Sequence, residues 1–148
     1  MAAETNSPEQ LDVEHLFTLT AQIGDTTNAI MRGGPTGTRM IAAVTGGEFA
    51  GPRVRGTIVA PAGDWVHVRK NRTIHLDVRL QLVTDDGEAI RMTYLGIGHP
   101  NEDGTTSSRS APTFETGAET YEWLNDVQAV GIGTATAESV TYEVYALK

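Results

Sequence analysis

The chain has 148 residues and a formal charge of −8, and it contains no cysteine. This length suits one domain with a sizeable core of its own. The lack of cysteine excludes a disulfide framework, a thiolate nucleophile and a cysteine metal site, and it fits the reducing cytoplasm. Acidic side chains outnumber basic ones by 19 to 11, so the chain repels a phosphate backbone and no nucleic-acid partner is expected. No stretch approaches the roughly 20 apolar residues of a membrane span, so no membrane partner is expected either.

The N-terminal residues differ in composition from the rest of the chain. Residues 1–10 lack the basic start and apolar run of a signal peptide, and we expect them to form a disordered tail. Residues 11–148 show no repeat or linker and are expected to form a single domain.

Most of this domain consists of short runs in which apolar and polar residues alternate, as they do in β-strands with one buried face. The first predicted strand, Val13–Ala21, places Phe17 and Leu19 on one face together with His15. Further strands are predicted over Arg39–Thr45, Pro52–Ala60, Trp65–Arg69, Ile74–Leu82, Glu88–Gly98, Arg109–Glu115, Val127–Gly133 and Val140–Leu147.

The hairpin of Ile74–Leu82 and Glu88–Gly98 has the strongest signal. Five apolar residues of its first strand share one face, and Thr84–Gly87 supplies a turn in which glycine accepts a positive φ. Asn101–Gly104, followed by Thr105–Ser108, reads as a longer, mobile loop. The only helical segment is predicted near residues 118–125, over one or two turns.

Eight or more strands joined by short turns predict an all-β fold, a single antiparallel β-barrel of about eight strands. Closure into a barrel removes the exposed edges that an open sheet would leave. A two-sheet sandwich is the alternative.

Several segments, in order, resemble the domain-of-unknown-function 3237 family, also called uncharacterised protein family 0311. The segments are the glycine-rich Thr45–Gly56, Asp64-Trp65, Leu76–Leu80 with the turn Thr84–Gly87, Phe114–Gly117 and Tyr121–Asn125. The resemblance covers roughly residues 14–146. It implies a barrel of about eight antiparallel strands with a central cavity, and it implies no single reaction.

Asp64 and Trp65 follow the segment Pro61–Gly63, which reads as a turn. In a functional interpretation, Asp64 is a general acid or base at the mouth of the barrel and Trp65 is a wall for a flat ligand. The alternative is that Asp64 caps the turn and Trp65 belongs to the core.

Three arginines are candidates for a polar cavity floor that orients a carboxylate, carbonyl or phenolate. Arg53 and Arg55 lie two residues apart and share a face, and Arg79 shares a face with Asp77. The alternative is a solvated outer face with surface ion pairs. Asp77 and Arg79 lie opposite an apolar face and are expected outside, whereas Arg55 lies among small residues and is the better cavity candidate.

Five further residues complete the candidate site: Tyr94, Glu115, Tyr121, Trp123 and Asn125. Tyr94 shares a face with Ile90 and Met92, so we expect a buried ring whose hydroxyl polarises a substrate oxygen. Glu115 ends a strand, where a raised pKa would suit a general acid or base. The other three are candidates for substrate binding. Packing and turn structure are the alternative roles for all five.

Metal and nucleotide motifs are not evident. The four histidines, His15, His67, His75 and His99, have no tight ligand spacing. Neither Gly96-x-Gly98 nor Gly131-x-Gly133 opens a predicted helix, so neither indicates a dinucleotide site. The sequence therefore predicts no metal and no cofactor.

The leading hypothesis is a cofactor-independent enzyme of isomerase, cyclase or lyase type, with acid–base groups at Asp64, Arg55, Tyr94 and Glu115. Its substrate would be a small, partly hydrophobic molecule in the barrel cavity, of the kind found in secondary metabolism or aromatic degradation. The second hypothesis is a barrel that carries or senses such a molecule, and the third is a structural protein with a filled barrel. Pairing of two copies into a homodimer would suit a small barrel.

Overall fold

The computed structural model describes residues 8–25 and 29–148. The predicted tail falls mainly on residues 1–7, outside the described residues. The elements are β1 (Val13–Ile23), β2 (Met31–Gly34), β3 (Gly37–Ala50), β4 (Arg55–Arg69), β5 (Ile74–Thr84), β6 (Ala89–Pro100), β7 (Thr106–Ser110), β8 (Thr113–Thr116), a 3₁₀ helix (Glu119–Asp126), β9 (Ala129–Ala135) and β10 (Ser139–Leu147). No helix in this part of the chain has the length and hydrophobicity needed to cross a membrane.

Eight of the strands close into an antiparallel barrel, which confirms the predicted fold class. The strand order is β1-β10-β9-β7-β6-β5-β4-β3, and β3 pairs back onto β1. The two extra strands lie outside this ring, β2 beside β3 and β8 beside β6. Every barrel strand therefore has a partner on both sides, as closure requires.

Three predicted element boundaries are wrong for local reasons. β4 runs without a break from Arg55 to Arg69, where two strands and a turn were expected, because an irregularity after Val59 absorbs the proline. The predicted strand Arg109–Glu115 is two strands, β7 and β8, which lie on either side of Pro112. The predicted mobile loop is a tight turn, and β7 already pairs with β6 from Thr106 onward.

The interior follows the predicted alternation except where a bulge shifts it. In β5, Val78, Leu80 and Leu82 are buried. In β1, the register shifts between His15 and Phe17, so Leu16 and Phe17 are both buried and His15 points outward.

The 3₁₀ helix packs against the barrel end that holds the β5–β6 turn. Leu124 is 1% exposed and belongs to the core. The Tyr121 hydroxyl donates a 2.8 Å hydrogen bond to Asp86 Oδ1 in that turn. Asn125 Oδ1 accepts the backbone N–H of Thr116 at 2.8 Å, which ties the helix to β8. The helix therefore covers this end of the barrel.

Leu124→Ala should lower the free energy of unfolding by about 2–5 kcal/mol, because it removes a fully buried side chain that its neighbours cannot replace. Glu122→Ala, an exposed position of the same helix, is the matched control and should change stability by less than about 0.5 kcal/mol. Urea denaturation of both variants measures the difference. Equal stabilities of the two variants would contradict the contribution of Leu124 to the core.

Candidate active site

The site begins with two inward-facing serines on β7, Ser108 and Ser110, both buried. Glycines flank them in register on the neighbouring strands: Gly98 and Gly96 on β6, and Gly133 and Gly131 on β9. Because these positions carry no side chain, the two G-x-G motifs open space inside the barrel. The two motifs therefore have a structural role, although they indicate no nucleotide site.

Tyr142 of β10 occupies part of this space. Its ring lies over Gly133, where an added Cβ would come within 2.4 Å of Tyr142 Cε1. The ring thereby crosses β9, and a 2.7 Å hydrogen bond joins its hydroxyl to Ser108 Oγ. Ser110 Oγ is buried and has no hydrogen-bond partner among the described residues.

Asp64 of β4 projects into the same end of the barrel. Its Oδ1 accepts the backbone N–H of Asp77 on β5 at 3.0 Å. Burial raises the pKa of Asp64 to about 6; the hydrogen bond opposes that shift, and the negative charge of Asp77 adds to it. The carboxyl group is thus able to exchange a proton near neutral pH.

Tyr94 of β6 lies next to Tyr142, with ring centroids 5.5 Å apart in an edge-to-face arrangement. Burial raises the pKa of Tyr94 well above its ordinary value, and the nearby Tyr142 and Asp64 add to the shift. The phenol therefore stays protonated. No hydrogen bond from a described residue contributes to that shift, so the Tyr94 O–H is available to a ligand.

All of these groups except Ser110 face a cavity of about 80 Å³. Its polar lining is Asp64, Tyr94, Thr106, Ser108 and Tyr142, and its apolar lining is Ile23, Val44, Leu76, Val78, Ala135 and Val140. No arginine, lysine or histidine lines it among the described residues. No group of three or more metal-ligating side chains occurs in the described part of the chain. The arrangement offers one carboxyl group as base or acid and one tyrosine as donor in an apolar surround.

Of the four predicted acid–base residues, the structure brings Asp64 and Tyr94 together and leaves the other two outside. Arg55 does not face the cavity as expected, since its side chain is 69% exposed and its Nε lies 3.3 Å from Asp85 Oδ2. The reason is strand parity, because its neighbour Gly56 takes the inward position. Glu115 is exposed on β8, opposite Arg91.

The predicted binding residues lie on the outer wall or at the helix end. Trp65 is 43% exposed and carries the Arg79 guanidinium 5.0 Å from its ring centroid. Arg53 covers the Trp123 ring at 3.7 Å, beside the helix. Tyr121 and Asn125 make the structural hydrogen bonds described above, so none of the six lines the cavity.

Sequence reasoning missed Tyr142, Ser108 and Ser110. The available signal was the spacing Gly131-x-Gly133, which leaves room for a large side chain from the next strand. Without the register of β9 and β10, the sequence does not reveal which side chain uses that room.

Comparison with known proteins adds the following similarities. The family model described as "Protein of unknown function (DUF3237)" matches residues 11–147. A UPF0311 protein of Rhodopseudomonas palustris is 32% identical, and the match covers 91% of this chain and 95% of that protein. A β-barrel-like protein of Acinetobacter baumannii AYE has a TM-score of 0.86 at 26% identity, covering 97% of this chain and 100% of the other. A structure described as an enzyme from Penicillium herquei has a TM-score of 0.73 at 23% identity, covering 97% and 98%, and shares the fold.

Proposed function

The chain belongs to the DUF3237 family of proteins of unknown function, and we propose that it is a cofactor-independent enzyme acting on a small, partly apolar molecule in the barrel cavity. The observation that carries the proposal is the pairing of Asp64, whose pKa is about 6, with the Tyr94 hydroxyl at one cavity. A buried, near-neutral carboxyl group beside a free donor is costly for stability and useful for proton transfer.

The proposed chemistry is a proton transfer in which Asp64 is first a general base and then a general acid. The Asp64 carboxylate removes a proton from a C–H or O–H group next to a carbonyl or aromatic ring. The Tyr94 O–H donates to the oxygen on which negative charge develops. Protonated Asp64 then returns the proton to a different atom, which gives isomerisation or cyclisation, or it protonates a leaving group, which gives elimination. The substrate is neutral, because no cationic side chain in residues 8–25 and 29–148 lines the cavity to offset an anion.

One of the compared structures supports an enzyme without naming a reaction. The Penicillium herquei protein with the same fold is described as an enzyme, so the fold can carry catalysis. A likeness at this level of identity transfers the fold alone, so the reaction class rests on Asp64 and Tyr94.

A carrier or sensor of an apolar molecule is the second candidate. The observation that favours it is the lining, of which six side chains are apolar, including Ile23, Val44 and Val140. In that function Tyr94 would anchor a ligand oxygen and no bond would change.

One experiment separates the two functions. Small neutral ketones and phenols are added to the protein in D₂O, and NMR reports both binding and exchange of the acidic C–H for deuterium. An enzyme should exchange the protons of a bound compound, with a rate that rises with pH and is half-maximal near pH 6, where Asp64 becomes a base. A carrier should bind without exchange.

Asp64→Asn should reduce exchange by about 10²–10⁴-fold while binding persists, because the amide keeps the shape and cannot accept the proton. Asp77→Asn is the matched control: it removes a neighbouring carboxyl group on the outer face whose charge is the smallest of the three contributions to the pKa of Asp64, so it should change the rate far less. Binding without exchange in the native protein, or equal exchange in both variants, would overturn the proposal.

A further inference from the structure

A second concave surface lies on the outer wall, away from the barrel cavity. It is a groove of about 810 Å³ that extends from β3 across β4, β5 and β6 to the end of β7. Three of its apolar side chains are exposed, Trp65 at 43%, Leu95 at 66% and Ile97 at 46%. Isolated exposed apolar residues are ordinary, but three around one concavity indicate a binding surface.

The groove is cationic on a chain of net charge −8. Arg39, Arg69 and Arg109 line it, and Asp77 is its one acidic residue among the described ones. Arg39 and Arg69 make no ion pair with any described residue, and Arg109 Nη1 donates to the backbone carbonyl of Ser108 at 2.9 Å. Guanidinium groups without acidic partners, gathered around an apolar surface, favour an anion.

Two histidines extend the same surface. The rings of His67 and His75 lie 6.1 Å apart on neighbouring strands. Desolvation, followed by the charge of Arg69 and the neighbouring His67, lowers the pKa of His75, which favours its neutral form. A flat ring in the groove that also holds Trp65 suits contact with an aromatic ligand.

We infer that this groove binds a small amphipathic anion, an aromatic carboxylate, whose ring lies against Trp65 and Ile97 and whose carboxylate meets Arg39 and Arg69. The groove volume falls within the range of about 300–1,000 Å³ that is usual for small-molecule sites, whereas the barrel cavity of about 80 Å³ admits only a very small molecule. A second copy of the chain fits less well, because a two-fold contact would place this cationic face against itself.

The probes are 2-naphthoate and its neutral isostere 2-naphthamide. Binding is followed by the indole N–H signals of the protein, with Trp123→Phe used to assign them. Naphthoate should shift the Trp65 signal and leave the Trp123 signal in place. Naphthamide should bind about tenfold more weakly or worse, because it forms no charge-assisted hydrogen bond.

Arg39→Gln/Arg69→Gln should weaken naphthoate binding at least about tenfold. The control Arg91→Gln/Arg55→Gln removes two exposed arginines outside the groove and should bind as the native protein does. Asp64→Asn should also bind naphthoate unchanged, which separates this site from the proposed function.

Three results would overturn the inference. The first is that the native protein binds naphthoate and naphthamide equally well, or that the groove double variant and the control double variant bind naphthoate equally well. The second is loss of binding in Asp64→Asn, which would place the ligand in the cavity. The third is sedimentation showing a dimer that Leu95→Glu dissociates, which would make the groove an interface between two copies.

Discussion

Asp64→Asn is expected to raise the free energy of unfolding at pH 7, by up to about 3 kcal/mol, while it removes the proposed base. The carboxyl group has a pKa of about 6 in the folded protein and an ordinary value of 3.8. Each pKa unit corresponds to about 1.36 kcal/mol, so a shift from 3.8 to about 6 means that ionising this group in the folded state costs about 3 kcal/mol. The asparagine oxygen can still accept the Asp77 N–H, and the amide has no charge to bury.

The contribution of Asp64 to stability depends on pH, and the direction follows from its raised pKa. Between pH 3.8 and 6 the folded state binds more protons at Asp64 than the unfolded state does, so the native protein loses stability from this group as the pH rises. The penalty is fully present above about pH 7 and absent well below pH 4. Urea denaturation from pH 4 to pH 7.5 should therefore show a gap between Asp64→Asn and native protein that widens with pH.

Asp77→Asn serves as the comparison because it shares the strand pair and faces outward. Its stability difference from the native protein should vary much less over the same range. A variant Asp64→Asn that is less stable than the native protein at pH 7 would mean that the carboxylate contributes more through the Asp77 N–H than it loses by burial. That outcome would also remove the argument that the residue is kept for proton transfer.

Local patterns predicted the fold well where one strand face is apolar. Ile74–Leu82 alternates cleanly, and its turn contains a glycine, so β5, β6 and their hairpin could be read directly. β4 could not, because Pro61 usually ends a strand and the irregularity that accommodates it depends on the neighbouring strands. Closure of the sheet is a global property: the removal of exposed edges favoured a barrel over a sandwich, and the family resemblance strengthened that prediction.

Only part of the candidate site could be predicted, because the sequence does not fix which face of a strand points into the barrel. Asp64 and Tyr94 were predicted to be site residues from recognisable segments, and both line the cavity. Arg55 was placed on the wrong side, since one residue of phase decides between cavity and solvent. Tyr142 and Ser108 meet across an intervening strand, and no pattern within either segment indicates that contact.

Gly133→Ala is expected to destabilise the protein by about 2–4 kcal/mol, from overpacking and the loss of a buried hydrogen bond. An added Cβ would lie 2.4–2.7 Å from three carbon atoms of the Tyr142 ring. The ring is only 2% exposed, so relief requires it to shift within the barrel and away from Ser108. The same displacement would reshape the cavity, and exchange of a bound ketone should fall together with stability.

Gly117→Ala is the matched control, because nothing lies within 4 Å of the added methyl group and alanine reduces the entropy of the unfolded chain. It should be neutral or slightly stabilising in the same urea titration. Combining Gly133→Ala with Tyr142→Ala should cost less than the sum of the two single changes, since the ring that clashes is gone. Additive losses would show that Gly133 is needed for a reason other than the passage of Tyr142 across β9. In that event the glycine pair, rather than the tyrosine, would set the shape of the cavity.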